Sequence, residues 1–328
     1  MSPLAPIFLG FDIGGTKTSV SLGLADGTLL DTRRIPTESH EGPDRWRSRV
    51  LALARSMLRD RGLASAEIAA LGVAAPGPMS VERGVMIAPP NLPGWRDVPV
   101  VAPLRAEFGK PVFINNDANA SALAEYRFGE YRGTPDLVFL TLSTGIGAGI
   151  VSGGRVLQGA SDLAGEVGHH VLNPDGPPCP CGQRGCFEVY CGGLNVANRV
   201  RARLAAGERS AALEEAGGDP ARLDFRAIAA AEQRGDRLAR EVWGEFVERL
   251  AQGVGTCLMF FNPRVVIFGT MAVHLGERLL APLRSALPRY AWEASRGGVR
   301  IAASRLGANI GDYGALAVAL EGTQAATP

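Results

Sequence analysis

The chain has 328 residues with 46% apolar side chains, so it can bury a large core, and its length predicts two domains. Lys and Arg total 34 against 33 Asp and Glu, a balance that predicts neither a nucleic-acid nor a membrane partner. The apolar runs are shorter than the roughly 18 residues of a membrane span, and MSPLAPIFLG lacks the basic region of a signal peptide. We therefore expect a cytoplasmic protein.

The first 130 residues predict alternating strands and helices. The expected elements are strands at 7–12 and 19–25, a hairpin at 26–28, a helix over 43–61, a strand at 68–75, a helix near 99–109, a strand at 111–115 and a helix at 116–129. The helix over 43–61 is predicted by apolar residues at helical spacing, and the last helix by Asn and Asp at its start.

The opening pattern returns at Asp136, where DLVFLTLSTGIGAGIVSGGRV again predicts strand, glycine turn, strand and hairpin. Two such copies predict two α/β domains with similar cores. A helical stretch over 196–261, a strand in VVIFGT and a closing helix in GDYGALAVAL complete the chain, with a frayed tail expected after Leu320. The expected domains are 1–118 plus about 305–328, and 119–304 with a metal loop over 169–186.

Three of the five cysteines lie in CPCGQRGCFE (179–188), just after a His-His pair at 169–170. An odd cysteine count in a cytoplasmic protein argues against disulfides, and the spacing C-x-C-x4-C is not that of a CxxC redox pair. A Cys3His set suits tetrahedral Zn2+, and four protein ligands leave no open position, so the sequence predicts a structural zinc. The alternative is a loop with incidental thiols. The predicted ligands are His169, Cys179, Cys181 and Cys186.

Glycine turns after two strands are candidates for phosphate binding. In DIGGTKT (12–18) adjacent glycines let backbone N–H groups approach phosphate oxygens, and the Thr and Lys side chains add donors. The motif is neither a Walker A loop nor a GxGxxG turn, and a plain hairpin turn is the alternative. STGIGAG (143–149) repeats the theme, so two turns from two domains are expected to hold one polyphosphate. The predicted nucleotide residues here are Asp12, Gly14, Gly15, Thr16, Lys17, Thr144 and Gly145.

Asp117 is the candidate general base. It lies in NNDAN (115–119), at the end of a strand and in the first turn of a helix, where the helix dipole favours an ionised carboxylate. Such a group can accept a hydroxyl proton during phosphoryl transfer. The alternative is helix capping, although one cap needs only one of the three polar residues.

Further polar side chains beside Gly/Pro turns are candidates for binding a polyol. They are Asn91 in NLPGW, Glu166 and His169 in AGEVGHH, and Glu188 just after the cysteines. We interpret the remaining histidines (His40, His170 and His274) as structural or exposed, and Cys191 and Cys257 as core residues.

Together these motifs resemble the ROK family of sugar kinases, within the actin-like ATPase superfamily. The resemblance implies an α/β, two-domain actin-like ATPase (ribonuclease H-like) fold with a duplicated mixed-sheet core and a zinc loop, and an active site that closes between the domains. The motifs that carry it are DIGGTKT, APGP (75–78), NLPGW (91–95), NNDAN, STGIGAG, AGEVGH (164–169), CPCGQRGCFE and the closing GDYGALA.

The resemblance implies Asp117 as the base toward a sugar 6-hydroxyl, ATP as donor, Mg2+ near Asp12, and a homodimer. It implies that His169 contacts both zinc and sugar, so that the zinc loop sets His169 and Glu188 against the sugar. The implied sugar ligands are Asn91, Asn116, Asp117, Glu166, His169 and Glu188, and Gly269 joins the nucleotide residues. The chain departs from the usual family pattern at Ser143, where Gly is usual, and in FGTMA (268–272), where a Gly-Gly pair is usual.

These implications favour an ATP:hexose 6-phosphotransferase, with glucose as the first candidate substrate. N-acetylmannosamine or N-acetylglucosamine kinase is the alternative, followed by fructokinase or allokinase, because the pocket for the 2-substituent cannot be identified from sequence. A different class is a sugar-sensing ROK regulator. Such regulators carry a helix-turn-helix domain ahead of the kinase-like body, whereas here the phosphate motif already begins at Asp12. A sugar-binding protein without catalysis is the third class; Asp117 argues against it, and the departure in FGTMA argues for it.

Overall fold

The computed structural model describes residues 5–325 as strands and helices numbered here in chain order. The strands are β1 (Ile7–Ile13), β2 (Lys17–Leu24), β3 (Leu29–Pro36), β4 (Ile68–Ala75), β5 (Met79–Ser80), β6 (Val85–Met86), β7 (Val98–Pro99), β8 (Val112–Asn116), β9 (Leu137–Leu142), β10 (Ile146–Ser152), β11 (Arg155–Val156), β12 (Val265–Phe268) and β13 (Arg300–Ala303). The helices are α1 (Pro43–Asp60), α2 (Val101–Phe108), α3 (Asp117–Phe128), α4 (Phe187–Cys191), α5 (Gly193–Ala205), α6 (Ala211–Glu215), α7 (Phe225–Gln233), α8 (Arg237–Phe261), α9 (Met271–Leu275), α10 (Glu277–Ala286), α11 (Glu293–Arg296) and α12 (Ile310–Ala325).

Two sheets repeat one topology. The first has the order β3-β2-β1-β4-β8 and the second β11-β10-β9-β12-β13, so each strand has a counterpart at the same position. In the first sheet β1 pairs antiparallel with β2 and parallel with β4, which pairs parallel with β8. In the second, β12 pairs parallel with both β9 and β13. The predicted duplicated mixed-sheet core is therefore present, and β5, β6 and β7 add a small third sheet.

The described residues divide into two compact units. One, the N-terminal unit, holds residues 5–135, 149–164 and 305–325, and the other, the C-terminal unit, holds 136–148 and 165–304. The boundary expected at residue 118 lies inside α3, which packs against α12 and so belongs with the N-terminal unit. Within the described residues, no helix has both the length and the apolar content needed to span a membrane.

Strand β1 shows why this sequence places an acidic group on one face of the first sheet. Leu9, Phe11 and Ile13 are buried in one apolar cluster with α1 and α2, whereas Phe8 is buried with Leu316 of α12. Since side chains alternate along a strand, Asp12 shares the α12 face with Phe8. The first sheet is thus covered on both faces, as expected where β1, β4 and β8 run parallel.

Helix α12 packs closely on the first sheet through glycine. A Cβ on Gly72 of β4 would overlap the carbonyl oxygen of Ala315 and lie 2.6 Å from the nitrogen of Ala319, both in α12. A Cβ on Gly10 of β1 would lie 3.0 Å from the Cβ of Ala315. The closing helix therefore depends on two strand positions that carry no side chain.

The predicted strands and helices are found, with differences at their ends and in the short elements. The closing helix continues to Ala325, past the frayed tail expected after Leu320, because Arg127 of α3 donates hydrogen bonds to Glu321 and Gln324 in its last turns. Any fraying of 326–328 lies outside the described residues. The short strands β5, β6, β7, β11 and β13 were not singled out as separate elements from the sequence, since two to four residues give too little periodicity to recognise.

We predict that Gly72→Ala lowers the free energy of unfolding by about 1–3 kcal/mol, because the new Cβ must displace the α12 backbone. Chemical denaturation followed by circular dichroism measures the change. The matched control is Gly244→Ala in α8, where a Cβ meets no atom within 4 Å. A Gly72→Ala protein as stable as the control would contradict the close packing of α12.

Candidate active site

The first glycine turn joins β1 and β2 and is stabilised by two hydrogen bonds. The nitrogen of Gly14 donates to the oxygen of Lys17 at 2.9 Å, and the hydroxyl of Thr37 donates to the oxygen of Gly14 at 2.6 Å. A Cβ on Gly15 would lie only 2.6 Å from the carbonyl oxygen of Asn91. The turn is therefore a hairpin, and it also brings the predicted phosphate-binding residues against a predicted sugar ligand.

Asp12 lies half-buried at the end of β1, with its carboxylate against Gly311 at the start of α12. Burial first, and then the negative charges of Asp312 and Asp117, raise the pKa of Asp12 to about 7. The nearby cation of Lys17 only partly offsets this. The surroundings of Asp12 therefore carry an excess of negative charge.

Asp312 is a buried carboxylate beside Asp12 that the sequence analysis did not single out. It is 2% exposed, accepts a hydrogen bond from the hydroxyl of Ser19, and pairs with Arg34 at 2.5 Å. In the sequence, Asp312 is the single acid in the first turn of a mostly apolar helix. A carboxylate buried at such a place needs an oppositely charged partner. The partner comes from β3, and only the tertiary structure identifies it.

The three polar residues that end β8 and begin α3 have three different roles. Asn116 is the helix cap, since its Oδ1 accepts from the nitrogens of Ala118 at 2.8 Å and Asn119 at 3.3 Å. Asp117 is exposed at the first position of the helix, where its Oδ1 accepts from the nitrogen of Ala118 at 2.8 Å. Asn116 is therefore the N-cap, and Asp117 adds an exposed carboxylate beside it.

Asn115 is buried, and its side chain holds this turn through three hydrogen bonds. Its Nδ2 donates to Oε1 of Gln158 at 3.1 Å, and its Oδ1 accepts from Nδ2 of Asn119 at 3.1 Å and from the nitrogen of Asn116 at 2.8 Å. Gln158 was not predicted, because a single amide in a loop gives no sequence signal. This chain of amides fixes the backbone on which Asn116 and Asp117 are carried.

The second glycine turn, residues 143–146, is bound to the start of α5. The nitrogens of Gly193 and Leu194 donate to the oxygens of Ser143 at 2.8 Å and Thr144 at 3.2 Å, and the nitrogen of Ser143 donates to the oxygen of Gly145 at 3.0 Å. The ROK pattern usually has Gly at the position of Ser143. The hydrogen bonds that hold Ser143 here are all made by its backbone, so they do not depend on its side chain.

Glu188 lies directly against this turn. Its Oε2 accepts a hydrogen bond from the nitrogen of Ile146 at 2.8 Å, and a Cβ on Gly145 would overlap the same oxygen. Gly168 approaches from another loop, since a Cβ there would overlap the carbonyl oxygen of Ile146. Glu188 and Gly168, the residue before His169, therefore both lie against Ile146.

The turn after β12 contains Thr270, in the segment FGTMA where the ROK pattern usually has a Gly-Gly pair. Gly269 continues the pairing with β9 by donating to the oxygen of Leu140 at 2.9 Å. Thr270 follows with φ 48° and ψ −100°, a backbone conformation that favours glycine. Its hydroxyl lies 3.3 Å from that of Thr141, so the side chain is directed toward β9.

His169 and the three predicted cysteines form one cluster. Their ligand atoms all lie within 4.8 Å of one another, with His169 Nδ1 3.6 Å from Cys179 Sγ and Cys181 Sγ 3.6 Å from Cys186 Sγ. Tetrahedral bonds of about 2.3 Å to sulfur and about 2.0 Å to nitrogen require donor separations of roughly 3.5–3.8 Å. The donor set therefore fits Zn2+, and the two separations of 3.6 Å match this requirement.

The remaining histidines and cysteines differ in their exposure. His40 and His274 are exposed, and Cys191 and Cys257 are buried. His170 is half-buried, with Nδ1 2.5 Å from the carbonyl oxygen of Val167.

Each unit thus holds its own group of predicted residues. The N-terminal unit contains Asp12, Gly14, Gly15, Thr16, Lys17, Asn91, Asn116 and Asp117. The C-terminal unit contains Thr144, Gly145, Glu166, His169, Cys179, Cys181, Cys186, Glu188 and Gly269. Glu166 is exposed and directly precedes the 3-10 turn Val167–His169, and the nitrogen of His169 donates to the carbonyl oxygen of Glu166 at 3.1 Å.

Curated relatives of the chain include both kinases and a regulator. A glucokinase from Thermotoga maritima is 34% identical over 316 residues, which is 95% of this chain and 97% of that protein. An N-acetylmannosamine kinase from Escherichia coli is 38% identical over 209 residues, 64% of this chain and 69% of that protein. A xylose repressor from Caldicellulosiruptor bescii is 31% identical over 298 residues, 91% of this chain and 74% of the repressor.

Solved structures and a family model extend this similarity to the whole chain. A ROK hexokinase from Thermus thermophilus has a TM-score of 0.82 at 33% identity, covering 97% of this chain and 99% of that one. A ROK family glucokinase from Streptomyces griseus, solved with glucose and AMPPNP, has a TM-score of 0.77 at 28% identity, covering 96% and 99%. The ROK family model matches residues 8–322. The chain therefore belongs to the ROK family.

Proposed function

We propose that this sugar kinase transfers the γ-phosphoryl group of ATP to the 6-hydroxyl of glucose. The choice of glucose is supported by the glucokinase of Thermotoga maritima, which matches 95% of this chain. The observation that carries the proposal is Asp117, an exposed carboxylate at the first position of α3 that helix capping by Asn116 does not explain. It lies close enough to Asp12, beside the first glycine turn, for their charges to interact.

In the proposed reaction Asp117 is the general base. As the sugar O6 attacks the γ-phosphorus, its proton passes to the Asp117 carboxylate, and the bond from the γ-phosphorus to the bridging oxygen breaks to release ADP. The backbone under Asp117 is fixed by the buried amides of Asn115 and Asn119. A fixed base costs little reorganisation at the moment of transfer.

The proposed sugar ligands differ in which atoms they offer. Asn116 uses Oδ1 for the helix cap, so we assign its Nδ2 to a sugar hydroxyl. Glu188 binds Ile146 through Oε2, which assigns Oε1 to the sugar, and His169 has Nδ1 on the cysteine side, which assigns Nε2. The remaining proposed sugar ligands are Asn91, Glu166 and Asp117.

ATP is the proposed phosphoryl donor, with Mg2+. Burial and the neighbouring carboxylates of Asp312 and Asp117 raise the pKa of Asp12, and a divalent cation stabilises a group of carboxylates of this kind. When bound, Mg2+ would offset charge on the transferred phosphoryl group. The proposed nucleotide contacts are Asp12, Gly14, Gly15, Thr16 and Lys17 in one unit and Thr144, Gly145 and Gly269 in the other.

A structural zinc is the proposed occupant of the His169 cluster. Four protein donors would leave no open position on the ion, so it would fix the loop and take no part in bond making. Cys186 is the residue before α4, which carries Glu188, and His169 itself is a proposed sugar ligand. The metal would therefore hold two sugar ligands in place.

An N-acetylmannosamine kinase is the second candidate, favoured by the relative that is 38% identical over 209 residues. A sugar-sensing regulator is the candidate from another class, since a xylose repressor matches 91% of the chain. Such a protein would bind a sugar without turnover. A homodimer is proposed on the resemblance alone.

The test of the proposed function is ADP release with Mg-ATP and a panel of sugars, compared as kcat/KM. The panel is glucose, mannose, fructose, allose, N-acetylglucosamine and N-acetylmannosamine. We expect glucose to be preferred. A preference for an acetamido sugar would replace glucose by the second candidate, and sugar binding without turnover would favour the regulator.

For Asp117→Asn we predict a loss of at least about 100-fold in kcat with the fold retained, because the amide cannot accept the hydroxyl proton. Steady-state ADP release and circular dichroism measure the two quantities. The matched control is Asp44→Asn, since Asp44 also lies exposed in the first turn of a helix. Turnover close to that of the control would remove Asp117 from the role of base.

For Cys181→Ser we predict loss of bound zinc and a lower Tm, because three donors hold the ion much less tightly than four. Elemental analysis of purified protein should give about one zinc per wild-type chain. Cys257→Ser, at a buried cysteine of α8 outside the cluster, should retain the metal. A wild-type protein purified without metal would refute the zinc proposal.

A further inference from the structure

We propose that Glu188 is also a positioning residue for the second glycine turn, so that sugar and nucleotide binding are coupled through one carboxylate. This inference rests on the proposed function, which treats Glu188 as a sugar ligand and the turn 143–146 as a nucleotide contact. It adds a second role for Glu188, toward the nucleotide.

One oxygen of the Glu188 carboxylate is bound to the second glycine turn. Its Oε2 accepts from the nitrogen of Ile146 at 2.8 Å, where β10 begins. The same oxygen occupies the space that a side chain on Gly145 would need. A hydrogen bond from a backbone N–H to a charged acceptor is among the stronger single contacts in a protein.

Other hydrogen bonds and close approaches at the turn involve backbone atoms. Gly193 and Leu194 donate to the oxygens of Ser143 and Thr144, and a Cβ on Gly168 would overlap the oxygen of Ile146. Among these contacts Glu188 supplies the side chain that a ligand can move. Its backbone is fixed in turn, since Nδ2 of Asn195 donates to its carbonyl oxygen at 3.1 Å.

A carboxylate shared in this way couples two ligands. A sugar hydroxyl on Oε1 would restrict the Glu188 side chain to the rotamer that also holds Ile146, so the turn would be ordered before nucleotide arrives. The coupling must be reciprocal, because a change in one affinity caused by the other ligand is a property of the pair. Disturbing the turn should therefore weaken sugar binding as well.

The first test measures binding of Mg-AMPPNP by calorimetry in the absence of sugar. Glu188→Ala should raise the nucleotide Kd about tenfold, because the nitrogen of Ile146 loses its acceptor. Glu188→Gln keeps an amide oxygen that can accept the same bond, so its nucleotide Kd should stay within about threefold of wild type while its glucose Kd rises. A wild-type nucleotide Kd in Glu188→Ala would overturn the inference.

The reciprocal test measures glucose binding without nucleotide. Gly145→Ala should raise the glucose Kd about tenfold, since the new Cβ displaces the carboxylate of Glu188. Gly244→Ala on α8 is the matched control and should bind both ligands as wild type does. Should Gly145→Ala be too unstable to purify, the contrast between Glu188→Ala and Glu188→Gln decides alone. Glucose affinity unchanged in a folded Gly145→Ala would refute the coupling.

The wild-type titrations separate this inference from the proposed function. A wild-type protein that binds neither Mg-AMPPNP nor glucose would overturn both. A wild-type protein that binds both ligands, together with variants that lose only sugar affinity, would overturn the positioning role and leave the proposed function intact.

Discussion

The N-terminal unit depends on the close approach of α12 to the first sheet. Gly10 and Gly72 carry no side chain at the points where Ala315 and Ala319 meet the strands, so the helix lies against the sheet backbone. Its first turn then brings Gly311 and Asp312 to Asp12. Tight packing transmits such a position because a well-packed interior leaves little room for adjustment. The electrostatic surroundings of the first glycine turn therefore follow from small residues elsewhere in the strands.

The duplicated topology repeats one arrangement in each unit. In the N-terminal unit Gly15 lies against Asn91, and in the C-terminal unit Gly145 lies against Glu188. Each glycine is needed because its neighbour fills the space a Cβ would take. The proposed phosphate and sugar contacts are thus adjacent within each unit, which is consistent with a transfer between the two ligands.

The cysteine loop has its own supports in the C-terminal unit besides any metal. Gln252 of α8 donates to the carbonyl oxygen of Leu172 at 3.0 Å, and the guanidinium of Arg249 lies 4.5 Å from the centre of the Tyr190 ring. These contacts hold the base of the loop, whereas Cys181 at its tip is exposed. A loop of this kind cannot bury a core of its own, which explains why a metal would be needed there.

The sequence by itself determined the duplicated strand–turn–strand pattern, the long helices and the cysteine cluster, because periodicity, glycine turns and ligand spacing are local properties. It did not reveal Asp312 with Arg34, Gln158 with Asn115, or the bond from Ile146 to Glu188, since each pair joins residues far apart in the chain. Nor did it identify which residue of NNDAN caps α3, which required the hydrogen bonds of Asn116. Only the tertiary structure decided these partners, because burial and contact between distant segments are set by packing.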